Sequence, residues 1–225
     1  MVEAIENFDV ELDKGEVCRY LGYNGGRGPK PSISHLIDEE LEEAQDLLHP
    51  SAHYQILDIK GVRKGHVLLD GGITLASDVL GVVMYRCKQA AVFVVNIGDD
   101  LEGRVALLMK AGKVLQGTIL DAIGSDAAEK TACYLQERVH EVANSSGNEI
   151  TLRYSPGYCD WDVTEQRAIF KAMDSAPIGV SLTDDCLMVP RKSVSGIIGM
   201  GPFERRPGKY SPCRSCTKTD CNIRR

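Results

Sequence analysis

Apolar residues along this chain change their spacing several times, the pattern of helices and strands that share one core. From Ser34 or Asp38 onward, Leu36, Ile37, Leu41, Ala44, Leu47 and Leu48 fall on one helical face, the other face is strongly acidic, and the helix ends before Pro50. Tyr54 to Ile59 and Val67 to Leu69 read as strands. Ala91 to Ile97 is a continuous apolar run, which suits a strand buried on both faces. Asp99 or Asp100 then offers a cap for a helix through Leu108. The longest pattern runs from Lys113 to Ala143, with Leu115, Ile119, Ala122, Ile123, Ala132, Leu135, Val139 and Val142 at helical spacing, and Asn144-Ser-Ser-Gly147 closes it.

Farther on, Ile150 to Arg153 is extended and leads into Pro156-Gly157. Asp162 and Glu165 have capping-box spacing and predict a short helix with Ile169 and Met173 inward. Leu187 to Val189 and Val194 to Met200 finish the pattern as strands. The helices are long, the strands are too numerous for a bundle, and the order is no strict βαβ alternation. The expected fold is α+β: a mixed, mostly antiparallel twisted sheet with long flanking helices. The length of 225 residues fits one domain over residues 1–203 with a tail over 204–225.

Charge refines that division. The net charge of −6 argues against a general nucleic-acid surface. The tail is basic, with Arg205, Arg206, Lys209, Arg214, Lys218, Arg224 and Arg225 against Glu204 and Asp220, and reads either as solvated or as a docking element. The most apolar region, Val79 to Gly98, is broken by Arg86 and Lys88, so no membrane span is expected. The opening Met-Val-Glu-Ala has no basic-then-apolar signal, and the expectation is a cytoplasmic protein. Of eight cysteines, Cys18, Cys87, Cys133, Cys159 and Cys186 are scattered and read as reduced, most of them core packing.

The chemistry concentrates in Arg153-Tyr-Ser-Pro-Gly-Tyr158. Arg153 can grip a carboxylate through two parallel N–H···O bonds, and Tyr158 can lie against a flat or cationic group. A Pro-Gly turn lets the backbone approach a ligand closely, here around Ser155 and Gly157. The same residues also suit a buried Arg salt bridge beside an ordinary turn. Gly22-Tyr-Asn-Gly-Gly-Arg-Gly28 runs into Pro29 and Pro31 and reads as a turn, not a phosphate loop. His49 and His53 read as surface residues, Asp99-Asp100 as a cap, and Asp184-Asp185 as a turn.

With Thr164-Glu165 downstream and Ser193-Val-Ser-Gly196 after Pro190, the segment resembles the C-terminal activation domain of cobalamin-dependent methionine synthase, the module that binds S-adenosylmethionine. The Arg-x-x-x-Gly-Tyr turn, the Thr-Glu helix start and the Ser-Val-Ser-Gly strand occur in the family's order. Ala128-Glu129 through Tyr134-Leu135-x-Glu137-Arg138-Val139 is similar to the family's preceding long helix. The resemblance implies that Arg153, Ser155, Gly157 and Tyr158 hold S-adenosylmethionine, with Glu129 near the methionyl amino group. Glu129 also has capping-box spacing with Asp126 and suits a helix start after Gly124.

The chemistry so implied is reductive repair, in which an oxidised corrinoid takes one electron and is trapped by methylation from S-adenosylmethionine. The reduced cobalt is the nucleophile and no proton moves, so no catalytic acid or base is expected and the protein contributes position. The resemblance further implies cobalamin on a partner chain, either a methionine synthase lacking this domain or a corrinoid methyltransferase subunit. A low-potential electron donor such as flavodoxin or ferredoxin is implied with it. Where the family continues with a paired-tyrosine segment, this chain has Gly199-Met-Gly-Pro202 and then Cys213, Cys216 and Cys221. That C-x2-C-x4-C spacing can hold zinc or an iron–sulfur cluster if a fourth ligand is found, and Cys159 is the candidate. A metal-containing electron carrier or adaptor for corrinoid systems is the alternative function.

Overall fold

The continuous apolar run at residues 91–97 becomes the middle of the sheet. In the computed structural model, which describes residues 2–6, 8–23, 28–173 and 179–202, it belongs to strand β5 (Gln89–Asn96). Before it come β1 (Val2–Glu6), α1 (Lys14–Tyr20), α2 (Pro31–Gln45), β2 (Ser51–Arg63), β3 (His66–Leu69), β4 (Ile73–Ala76) and α3 (Asp78–Val83). After it come α4 (Asp100–Lys110), α5 (Val114–Ser145), β6 (Glu149–Tyr154), α6 (Gln166–Met173), the small hairpin β7 (Ser181–Leu182) and β8 (Met188–Val189), and β9 (Ser193–Gly201). The sheet order is β4-β3-β2-β5-β9-β6, with β1 on the first half of β2, and every pairing is antiparallel.

Alternation along β5 separates two cores. Ala91, Phe93 and Val95 face Ala132, Leu135, Val139 and Ala143 of the 32-residue helix α5. Ala90, Val92 and Val94 face Ile169, Ala172 and Met173 of α6, together with Leu80 and Met84. The first half of α5 packs with α1, α2 and α4 through Val17, Ile37, Ala44, Leu101, Leu108, Ile119 and Ile123. Both faces of the sheet are therefore covered, which is why β5 carries no polar residue between Gln89 and Asn96. Among the described residues no helix is long and apolar enough to cross a membrane.

Several local expectations are corrected. Helix α2 starts at Pro31, earlier than Ser34 or Asp38, because proline at the first helical position loses no hydrogen bond there. Asp99 sits at the N-cap of α4 without a side-chain bond to it, and Asp100 instead meets His49 Nε2 at 2.9 Å. Asp162 caps Thr164 N at 2.9 Å, but Glu165 does not return to Asp162; its carboxylate accepts from Ala76 N at 2.8 Å and so ties the segment to β4. Asp126 and Glu129 start no helix, since α5 runs unbroken through Gly124, where a Cβ would come within 2.7 Å of Leu101. Of the five scattered cysteines only Cys87 and Cys186 are buried. Residues 24–27 of the glycine-rich segment lie outside the described residues.

The Ser-Val-Ser-Gly strand has a structural explanation at each polar position. Ser193 Oγ donates to Pro190 O at 2.7 Å, and Ser195 Oγ donates to Gln166 Oε1 at 2.8 Å, fixing the first residue of α6 on the sheet. A Cβ on Gly196 would lie 2.3 Å from the Tyr154 carbonyl oxygen and 3.0 Å from the Phe93 ring. Gly196→Ala is therefore expected to cost at least about 2 kcal/mol through overpacking, a fall in Tm of roughly 4 to 8 °C. The exposed Gly103 of α4, with open space around it, should instead gain up to about 1 kcal/mol on change to Ala. Thermal unfolding of the two variants checks both signs, and equal Tm values would remove the packing explanation.

His53 is buried, not at the surface, and neither ring nitrogen has a partner among the described residues. Burial pushes its pKa below the ordinary histidine value. Below that ordinary value the unfolded chain binds a proton that the folded chain refuses. Stability then falls with pH until the lower folded value is passed. Urea unfolding at pH 7.5 and pH 5 should show a smaller acid loss in His53→Leu than in the unmodified protein, and an unchanged difference would rule out this residue as the cause.

Candidate functional site

Strand β6 breaks register with β9 between Ile150 and Arg153, and the break re-aims the side chains that follow. Thr151 holds the irregular stretch: its hydroxyl accepts from Gly199 N at 2.9 Å and donates to Leu152 O at 2.8 Å. Arg153, opposite Ile198, reaches across to α5. Its Nη2 lies 2.6 Å from Glu129 Oε2, and its Nη1 donates to Cys133 Sγ at 3.4 Å. Glu129 and Cys133 are four residues apart on α5 and so share one helical face. The Arg153 side chain is 20% exposed and that of Glu129 43%, so solvent reaches both charges.

Past β6 the chain turns sharply. Gly157 N donates to Trp161 O at 2.7 Å, Tyr158 N to Ser155 O at 3.4 Å, and Trp161 N to Tyr158 O at 3.0 Å. Gly157 has φ 93°, the left-handed region expected of it. Pro156 and Trp161 are buried beneath the turn, Ser155 and Cys159 are half-buried, and Tyr158 is 50% exposed. Asp160 pins the turn to the start of α3, accepting from Ser77 Oγ at 3.0 Å, Asp78 N at 2.5 Å and Val79 N at 3.4 Å. A carboxylate on a helix N-terminus is favourable both as a cap and toward the helix dipole. The turn is thus anchored at Asp160 and again at Glu165.

The structure brings Arg153 and Glu129 into direct contact and places Ser155, Gly157 and Tyr158 in the turn that follows Arg153. The salt bridge and the accessible Arg are both present, in one pair of residues. Sequence reasoning missed Cys133, Asp160 and the α1 residues at this corner, Arg19 and Tyr20. The Arg19 guanidinium lies 4.5 Å from the Tyr20 ring centroid. Burial first, then the Glu129 carboxylate, pushes the Tyr20 phenol above its ordinary value. Burial likewise raises the Asp126 carboxyl, which accepts from Asp13 N at 2.8 Å. No signal local to α1 marks this placement, because only its packing on α5 brings it here.

A paired cation and carboxylate open to solvent complement a zwitterion, with the guanidinium toward a carboxylate and the carboxylate toward an ammonium. Two depressions of the surface, about 390 and 300 Å³, are lined by residues such as Asp58, Gln89 and Asn148 and by none of the candidate residues; the partly exposed Arg153–Glu129 pair and the exposed Tyr158 form an open shelf. Cys213, Cys216 and Cys221 lie outside the described residues, whereas Cys159 sits in the turn with φ 55°. Among the described residues no group of three or more His, Cys, Asp or Glu is placed to hold a metal ion.

Residues 84–210 match the family described as "Vitamin B12 dependent methionine synthase, activation domain". That span is more than half of the chain and runs from the end of α3 through β9, including α5 and the Arg153 turn. Among solved structures, the "MetH Reactivation Domain bound to AdoHcy" has a similar fold, with a TM-score of 0.69 and 16% sequence identity. The likeness covers 91% of this chain and 80% of that one. No curated protein matches.

Proposed function

The chain belongs to the activation-domain family of vitamin B12 dependent methionine synthase, and from that premise we propose that it binds S-adenosylmethionine on the shelf beside β6 and remethylates a corrinoid carried by a partner protein. The observation that carries this reading is the Arg153–Glu129 pair, held at 2.6 Å, partly exposed and followed directly by the Gly157 turn. The similar solved domain is bound to AdoHcy, which is S-adenosylmethionine without its sulfonium methyl group, and this supports the choice of ligand.

In this reading Arg153 takes the ligand's carboxylate and Glu129 its ammonium, so an internal ion pair opens into a four-charge array. Ser155 and Gly157 offer backbone at the turn, and Tyr158 presents its ring to the sulfonium or the adenosine. The bound ligand supplies the methyl group: its S–C bond breaks with the electron pair left on sulfur while a bond forms to Co(I), after a donor such as flavodoxin or ferredoxin has given one electron to Co(II). The protein's own work is to hold the methyl group in line and to fix the ligand's two ends. The partner is a methionine synthase lacking this domain or a corrinoid methyltransferase subunit.

Calorimetric titration with S-adenosylmethionine tests the site. The unmodified protein should bind saturably, and Arg153→Ala should bind on the order of 100-fold more weakly, about 2.8 kcal/mol, as expected for loss of a charge-assisted pair. Equal binding by both proteins would remove Arg153 from the site, and no binding by either would remove the ligand.

The proposal extends to residues 204–225 as a metal-binding tail, with Cys213, Cys216 and Cys221 as ligands and Cys159 as the fourth. Anaerobically purified protein should carry either zinc or iron with sulfide, and Cys216→Ser should lose it. Metal-free unmodified protein would end this part of the proposal and leave the ligand site untouched. Metal content together with corrinoid reactivation that survives Arg153→Ala would instead favour an electron carrier.

A further inference from the structure

Ile150 and Arg153 are three residues apart on β6, and in a regular strand residues at odd spacing point to opposite faces of the sheet. Here both face α5. Ile150 lies in the core with Leu135 and Val139 of that helix, and Arg153 reaches Glu129 and Cys133 on it. The difference is one extra residue: Ile150 pairs with Met200 and Arg153 with Ile198, so three steps on β6 oppose two on β9. Such a bulge re-aims the side chain that follows it and interrupts the ladder of backbone hydrogen bonds. Thr151 sits at the interruption. It is 3% exposed, and its hydroxyl accepts from Gly199 N at 2.9 Å while donating to Leu152 O at 2.8 Å. One side-chain group thus serves a donor of β9 and an acceptor of β6 where the two strands fall out of step.

We propose that Thr151 is a positioning residue for ligand binding: its hydroxyl holds the bulge that turns Arg153 towards Glu129. This rests on the reading of the Arg153–Glu129 pair as the ligand site. In regular register Leu152 would stand opposite Ile198, and Arg153 would fall on the face of the sheet away from α5. The hydroxyl opposes that slip, because the bulged arrangement is the one in which it bonds both strands. A threonine hydroxyl can donate and accept at once, whereas valine, of the same shape, can do neither. The hydrogen bond to Gly199 N is buried, so solvent offers that amide no replacement when the hydroxyl is removed. Thr151 touches no ligand in this scheme and acts only through the direction of Arg153.

The test is calorimetric titration of the unmodified protein, Thr151→Val, Thr151→Ala, Thr151→Ser, Ser195→Ala and Arg153→Ala with S-adenosylmethionine, with Tm measured for each. Thr151→Val should bind about 5- to 10-fold more weakly, the scale of one hydrogen bond. Thr151→Ser keeps the hydroxyl and should bind within twofold of the unmodified protein. Ser195→Ala removes the buried hydrogen bond to Gln166 from the same strand β9, so it should lower Tm without weakening binding. Binding by Thr151→Val within twofold of the unmodified protein, while Arg153→Ala has lost it, overturns this inference and leaves the site standing. A loss in Thr151→Ser or Ser195→Ala as large as that in Thr151→Val also overturns it, since packing or general stability would then be the cause. If neither Thr151→Val nor Thr151→Ala folds, the hydroxyl is a requirement of the fold and the positioning role falls. Failure of the unmodified protein to bind S-adenosylmethionine, or unweakened binding by Arg153→Ala, overturns both the inference and the site.

Discussion

The close approach of β9 to β6 at Gly196 is the constraint on which the rest depends. A methyl group at this position would overlap the Tyr154 carbonyl and press on Phe93, so the backbone of β6 can take its place at the edge of the sheet only beside glycine. Once β6 is seated, the register break after Ile150 aims Arg153 at α5, and the turn at Gly157 follows directly. Gly199 makes the same allowance on the other face, where a Cβ would meet Cys87 Sγ at 2.5 Å and Met84 Sδ at 2.6 Å. These two interior glycines weaken the strand locally, and burial on both faces offsets that cost.

Around this edge the loops are held by charges on backbone amides as well as by the apolar packing of Trp161. Asp160 occupies the N-terminus of α3, Glu165 takes Ala76 N, and Glu102 takes Lys192 N. Lys192 also reaches Asp121 and Ser125 at 2.9 Å, which fixes the entry to β9 against α5. Hydrogen bonds to a charged partner contribute more than neutral ones and have a defined direction. They place the turn while leaving its outer surface free of apolar side chains other than Tyr158. The result is a shelf whose shape is set from beneath.

Element type and order were largely legible in the sequence, because long periodic segments such as 113–143 and the unbroken apolar run at 91–97 each admit one reading. What escaped was whatever depends on a distant partner. His53 reads as a polar residue near a helix end, yet its strand is covered on both sides and the imidazole is buried. Glu165 looks like half of a capping box, but its carboxylate accepts from Ala76 N at 2.8 Å. The resemblance singles out Arg153, Glu129 and the Gly157 turn as candidates, and the fold brings Arg153 and Glu129 into contact just before that turn. That α1 packs against the same helix as Glu129 had no local signal, since more than 100 residues separate them in the chain.

On the proposed reading, the Arg153–Glu129 contact also determines how a ligand gains affinity. Before binding, each charge already has a partner, and an ion pair exposed to this degree contributes only about 0 to 1 kcal/mol. A zwitterion that inserts between them exchanges one pair for two without leaving a charge alone, whereas a ligand with only a carboxylate would displace Glu129 from Arg153 and leave it uncompensated. On that reading the pair also acts as a filter for zwitterions. Further affinity then comes from the remainder of the ligand, against the turn and the Tyr158 ring. Those groups are positioned by Asp160 and Glu165, so the anchors beneath the turn act on binding although neither lies on the zwitterion's path.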